Sequence, residues 1–348
     1  MPDPSLKSKK KLIIYGVLIA LLFLAVGGAV GFAVTSKILK AKERLLLGQI
    51  KPVRQNNPKF HFTNPLIGYN IPDSSDFNQF TLLENKVTAY INDQKQAGNA
   101  TEVSVYFRDL DHGRWMGVNE NSKYDPASML KVVIMIAYYK QAENNPAILN
   151  QQISYTKTLD NTIDQVPFQA PSTLQTGKTY TVEQLIEAMI ISSDNGAKNA
   201  LLANVDNEAL NQAYTDLGLA APTDSQPYTI SAKAYSAFFR ILYNSTYLDE
   251  DLSEKALSLL NRATYKDGLV AGLPGSIQTA HKFGEHVISD SGGQITGIEL
   301  HDCGIIFYPG HPYALCVMTR GNNLDALSSI IQNLSKLVYE SVSSDYQK

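Results

Sequence analysis

A chain of 348 residues, 44% hydrophobic and 18% charged, can bury a sizeable core, and its two cysteines exclude a disulfide-rich scaffold or a four-cysteine metal site. Charge divides it: residues 1–54 hold 10 Lys+Arg against 2 Asp+Glu, and the rest holds 20 against 31. An acidic body lacks the positive face that phosphate backbones require, which excludes nucleic acid as a partner, whereas the basic N-terminal flanks suit anionic lipid headgroups.

The first element is "LIIYGVLIALLFLAVGGAVGFAV", residues 12–34, which carries no charge. As a helix it extends roughly 34 Å, sufficient to cross a bilayer. A cleaved signal peptide has a shorter apolar core and a small-residue cleavage site, so an uncleaved anchor is the expectation. Lysines flank both ends, and the positive-inside rule does not choose a side. The expected divisions are a basic tail at 1–11, the anchor at 12–34, a helical extension and Pro/Asn-rich linker at 35–63, and a single domain at 64–348.

Within the domain, "SDFNQFTLLENKVTAYINDQKQAG" predicts an amphipathic helix capped by Ser75 or Asp76. "EVSVYFRDL" and "RWMGVN" flank the turn "DHG" and predict a strand hairpin. The helix of "DPASMLKVVIMIAYYK" follows, then a helical section: "TVEQLIEAMIISSDNGAKNALLANV", "NEALNQAYTDLG", "SAKAYSAFFRILYN" and "SEKALSLLNRA". Strand signals return at "IQTAHKFGE", "CGIIFY" and "YALCVMT", and a last helix covers "LDALSSIIQNLSKLVYESV". Strands at both ends with helices between predict an α/β (α+β) fold: one antiparallel sheet with flanking helices, an inserted all-helical lobe, and a preceding transmembrane helix. A turn centred on Pro309-Gly310 would set Cys303 opposite Cys316, as a disulfide or as two buried thiols.

Ser128-x-x-Lys131 places two side chains on neighbouring positions of a helix's first turn. The positive helix end favours negative charge on Ser128 Oγ, and burial among apolar residues disfavours a charged Lys131. A neutral lysine beside a serine can act as its general base. "SSDN" at 192–195 ends the apolar run "QLIEAMII", and "HKFG" at 281–284 ends a strand. The order S-x-x-K, S-D-N, K-x-G is linked to serine acyl-transfer enzymes.

Over about residues 75–345 the chain resembles the class A β-lactamase and penicillin-binding protein superfamily. The resemblance implies that Ser128 is the acylated nucleophile, Lys131 its base, and Ser193 the relay passing a proton to the leaving nitrogen. It implies that Asn195, Lys282, Phe283 and Gly284 line the substrate, that Asp194 braces its loop, and that backbone N–H groups of Ser128 and Glu285 form an oxyanion hole. The implied substrates are β-lactams or related amides; D-alanyl-D-alanine peptidase-type chemistry and a non-catalytic wall-binding or sensor domain are the alternatives. Such substrates lie outside the cytoplasm, so the expectation is a single-pass membrane protein with its basic tail inside and its domain outside.

Two positions depart from the superfamily pattern. Phe283 stands where a Thr or Ser hydroxyl usually meets a substrate carboxylate. The loop "LGLAAPTDSQPYTIS" lacks the Glu-x-x-Leu-Asn glutamate that activates the deacylating water; Asp224 is its only acid and reads as a turn residue after Pro222. Slow deacylation is therefore expected. The six histidines show no metal-ligand spacing, His281 and His286 read as solvated strand ends, and neither metal nor cofactor is expected.

Overall fold

The computed structural model describes residues 35, 51–54, 58–70, 80–156, 168, 174–223 and 227–346. The apolar span at 12–34, the helix caps expected at Ser75 or Asp76, and Asp224 lie outside these residues. Among the described residues no helix is long and apolar enough to cross a membrane. Residues 52–68 and 77–348 form one compact unit, in which the site lies.

A short ribbon of β1 (Lys51–Arg54) and β2 (Leu66–Asn70) is followed by α1 (Thr81–Gln96), which buries Leu83, Val87 and Ile91 at helical spacing. The hairpin strands are β3 (Glu102–Asp109) and β4 (Trp115–Val118). After the helical lobe come β7 (Thr279–Ser289), β8 (Ile295–Ile306), β9 (Tyr313–Gly321) and α8 (Leu324–Tyr346). The five strands pair antiparallel in the order β4-β3-β9-β8-β7, so both ends of the chain build one sheet, as expected. Gly310 has φ 75°, and the His311 N–H donates to the Tyr308 carbonyl at 2.9 Å, closing the Pro309-Gly310 turn. That turn sets Cys303 opposite Cys316, and the two are joined in a disulfide.

The sheet separates two apolar clusters. Val103, Val105 and Phe107 of β3 and Leu315 and Val317 of β9 pack with α1 and α8. On the other face Cys303, Cys316 and Met318 pack against the lobe. At its centre is α2 (Lys131–Asn144), buried continuously from Lys131 to Tyr139, as a helix surrounded by others must be. Around it lie α3 (Val182–Ile191), α4 (Asn195–Leu202), α5 (Asn207–Asp216), α6 (Ala232–Tyr243) and α7 (Glu250–Asn261). Thr181 and Gln184 form a capping box at α3, and Asp194, Asp206, Ser231 and Asp249 cap the next four, each worth about 1 kcal/mol.

Three features differ from the sequence expectation. β8 begins at Ile295, well before "CGIIFY", because its solvent-side end carries Thr296 and Gly297 and reads as loop. A small hairpin, β5 (Gln152–Ser154) with β6 (Thr179–Thr181), stands inside the lobe. Segment 61–63 is fastened to the body: Glu254 accepts the N–H groups of His61, Phe62 and Thr63 at 2.7, 2.7 and 2.8 Å, and Phe62 meets Phe307 edge-on.

Candidate active site

Ser128 lies on a tight 3₁₀ turn, Ala127–Leu130, that runs directly into α2 at Lys131. Ala127 takes φ 48°, a left-handed conformation costing about 1–3 kcal/mol for a residue with a Cβ. It is held by its N–H donating to Asp125 Oδ1 at 2.8 Å and by Met129 N–H donating to Pro126 O at 2.9 Å. The turn thereby lifts Ser128 to the α2 entrance while Lys131, 1% exposed, starts the buried helix.

The Lys131 Nζ donates to Ser128 Oγ at 2.9 Å, Ser193 Oγ at 3.0 Å, Ser193 O at 2.6 Å and Asn195 Oδ1 at 2.7 Å. An ammonium has three protons, so these four acceptors share them, and every direction around the nitrogen is polar. This surrounding answers why a lysine tolerates the position: burial removes water but supplies oxygens. Ser193 has φ 55° and breaks the apolar helix into α3 and α4. Asp194 caps α4, accepting from Ala197 N–H at 2.7 Å and from the Tyr155 hydroxyl at 3.2 Å.

The third motif lies on the sheet edge, β7. Lys282, also 1% exposed, donates to Ser193 Oγ at 2.9 Å and to Phe283 O at 3.1 Å. Two lysines thus converge on one hydroxyl. Burial drives the Lys282 pKa down to about 7, partly opposed by the negative charge of Asp302. A Cβ on Gly284 would stand 2.5 Å from Pro126 O and 2.8 Å from Met129 Cγ, so only glycine lets β7 close against the Ser128 turn.

Phe283 and Glu285 face the other way. The Phe283 ring stacks on Tyr265 at 4.0 Å between centroids and meets Phe168 edge-on at 4.8 Å. The expected substrate-lining position is therefore a packed aromatic trio. Glu285 is 7% exposed; its Oε2 accepts from Phe168 N–H at 3.4 Å, its Oε1 has no partner, and burial raises its pKa. His281 corrects the solvated-end expectation. It is fully buried and bonds through Nδ1 to Asp302 at 2.9 Å, because the segment at 265–269 covers this part of β7, with Leu269 N–H donating to Asp302 Oδ2. His286 remains partly exposed, 4.0 Å from Asp125.

Sequence reasoning missed the Glu285 side chain, Tyr265, Phe168 and the His281–Asp302 pair. None has a spacing signal; only strand register, which sets Phe283 opposite Asp302, could have linked them. Among the described residues no group of three or more His, Cys, Asp or Glu could hold a metal. The cluster's chemistry is that of a serine hydroxyl bonded to a buried amine, with a second hydroxyl bridging two amines.

Residues 82–342 match the family described as the Beta-lactamase enzyme family. A β-lactamase of Streptomyces albus G is 24% identical over 254 residues, covering 66% of this chain and 76% of that protein. Among solved structures, a PBP-A mutant, an acyl-enzyme complex with penicillin G, is 22% identical with TM-score 0.64, covering 78% of this chain and 100% of that one. A class A β-lactamase from Mycobacterium abscessus is 20% identical with TM-score 0.62, covering 75% and 99%.

Proposed function

The chain belongs to the Beta-lactamase enzyme family, and from that premise we propose that it is a membrane-anchored serine hydrolase that opens β-lactams or related amides through an acyl-serine intermediate. The observation that carries this reading is the Lys131 Nζ, 2.9 Å from Ser128 Oγ and 3.0 Å from Ser193 Oγ. In the acylation step Lys131, having first given up one ammonium proton to solvent, takes the Ser128 hydroxyl proton as Oγ bonds the carbonyl carbon. The C–N bond then breaks and the proton reaches the leaving nitrogen through Ser193, whose hydroxyl the second lysine, Lys282, also holds. The N–H groups of Ser128 and Glu285 receive the developing oxyanion; losing one such donor typically costs about 10²–10³ in rate. The Asn195 Oδ1 is taken by Lys131, which leaves its amide NH₂ to meet a substrate carbonyl.

Water must next attack the ester, and no glutamate stands in the sequence between Leu217 and Ser231 to activate it. General-base help of this kind is typically worth about 10²–10⁴ in rate, so acylation outruns deacylation. The full chain in detergent, mixed with a penicillin and rapidly quenched, is expected to show one stoichiometric adduct by intact mass that persists for minutes. Fast steady-state hydrolysis without an accumulated adduct would show that another group activates the water. The 23 uncharged residues at 12–34 support anchoring, with the basic tail inside and the domain outside. Protease added to intact spheroplasts then removes the domain; survival until the membrane is opened reverses that topology.

A further inference from the structure

We infer that Glu299 and Arg320 are positioning residues for the nucleophile: through Asp125 they hold the strained turn that presents Ser128. The inference rests on the acyl-serine reading above and names the residues that keep its serine in place.

Ala127 sits at φ 48°, where a residue with a Cβ is strained, and its N–H is held by Asp125 Oδ1 at 2.8 Å. Asp125 can hold the turn only if it is itself fixed. Its backbone N–H donates to Glu299 Oε2 at 2.9 Å, and its carbonyl accepts from His301 Nε2 at 3.0 Å. The His301 tautomer follows from its other nitrogen: Nδ1 accepts the Thr319 N–H at 3.3 Å, so Nε2 carries the proton. Glu299 and His301, 2% and 0% exposed, stand two residues apart on one face of β8 and hold both ends of one residue.

Arg320 on β9 completes the brace. Its Nε and Nη2 reach Glu299 Oε1 at 2.8 and 2.6 Å, which leaves Oε2 to Asp125. Nη2 also donates to the Lys123 carbonyl at 3.2 Å, and the guanidinium lies 5.1 Å over the Tyr124 ring. The three residues leading into the turn are therefore each held by this arginine or its carboxylate partner. A carboxylate suits the position better than an amide, because both of its oxygens accept and charge-assisted bonds are the stronger ones. From another direction β7 confines the turn, where Gly284 leaves room for Pro126 O. A displacement of about 1 Å in a reacting atom can lower a rate about 10²-fold, so such fastening matters to the chemistry.

The test follows acylation of the full chain by benzylpenicillin with intact mass, across concentrations that separate binding from the limiting acylation rate. Glu299→Ala is expected to lower the limiting rate about 10–100-fold while the binding constant stays within about twofold. Glycine takes the Ala127 conformation without strain, so on an Ala127→Gly background Glu299→Ala is expected to cost less than about threefold. Arg320→Lys keeps the charge but loses the fork, and is expected to lower the limiting rate about three- to tenfold; it carries the test by itself if Glu299→Ala does not fold. An unchanged limiting rate in folded Glu299→Ala or in Arg320→Lys overturns the inference. So does a loss confined to binding, or a fall of equal size on the Ala127→Gly background, which would make Glu299 a general stabiliser of the sheet. Absence of any adduct on the wild-type protein overturns the acyl-serine reading and this inference with it; a wild-type adduct whose rate ignores these substitutions overturns the inference alone.

Discussion

The two faces of β7 meet different surroundings. On one face Lys282 reaches Ser193, and Gly284 allows the Ser128 turn to approach until a single added carbon would collide. On the other face Phe283 packs on rings, and Glu285 keeps an oxygen with no partner. Strand side chains alternate with a period of two, so residues one apart in sequence answer to different demands. The first face is shaped by close polar contact, with Lys282 bonded to Ser193 Oγ and to Phe283 O. The second face is shaped by packing, and Glu285 there is bonded through one oxygen only, to the Phe168 N–H.

The sharpest break of this comparison is at the nucleophile. Ser128→Ala removes the hydroxyl proposed to form the ester, and covalent labelling by penicillins is expected to vanish while thermal stability stays nearly unchanged. An adduct on the Ser128→Ala protein would refute the assignment. Lys131→Met keeps the volume but removes the base, and acylation is expected to fall by about 10²–10⁴. An effect under about threefold would make Lys131 a packing residue that happens to touch a serine.

Phe283→Ala tests the other face. Truncating a buried ring usually costs about 3–5 kcal/mol, and an edge strand places this one near about 3 kcal/mol by denaturant unfolding. Acylation is expected to change far less than in Lys131→Met. If the rate collapses while stability holds, Phe283 serves the substrate directly and the two-face division fails.

These contrasts mark where sequence reading works. Ser128, Lys131, Ser193, Asn195 and Lys282 were legible as residue types at fixed spacing, and the structure brings the five together. The Cys303–Cys316 facing pair was legible because a Pro-Gly turn fixes register across a hairpin. The 3₁₀ turn under Ser128 was not, since nothing in "DPASM" announces an alanine at φ 48°. Neither was the Phe283–Tyr265–Phe168 stack, whose members come from segments far apart in the chain. Phe62 and the Glu254 tie were hidden by a Pro/Asn-rich composition that reads as linker.

The smallest expected effect is also the most specific. The folded pKa of Lys282 is about 7, below the ordinary 10.5, because burial penalises the ammonium. The unfolded chain therefore binds more protons than the folded one between about pH 7 and 10.5, and stability rises with pH across that window. Below the folded pKa the penalty is present in full. Lys282→Met deletes it, so the variant is expected to be more stable than wild type by about 1–2 kcal/mol at pH 6, with the gain shrinking toward pH 10. Acylation moves the opposite way. If the protonated lysine holds Ser193 for its relay, the wild-type rate declines above about pH 7, and Lys282→Met is slower and lacks that limb. A variant destabilised at pH 6, or one that keeps the alkaline limb, would mean that Lys282 belongs with the packing face of β7 and that another group controls the Ser193 proton.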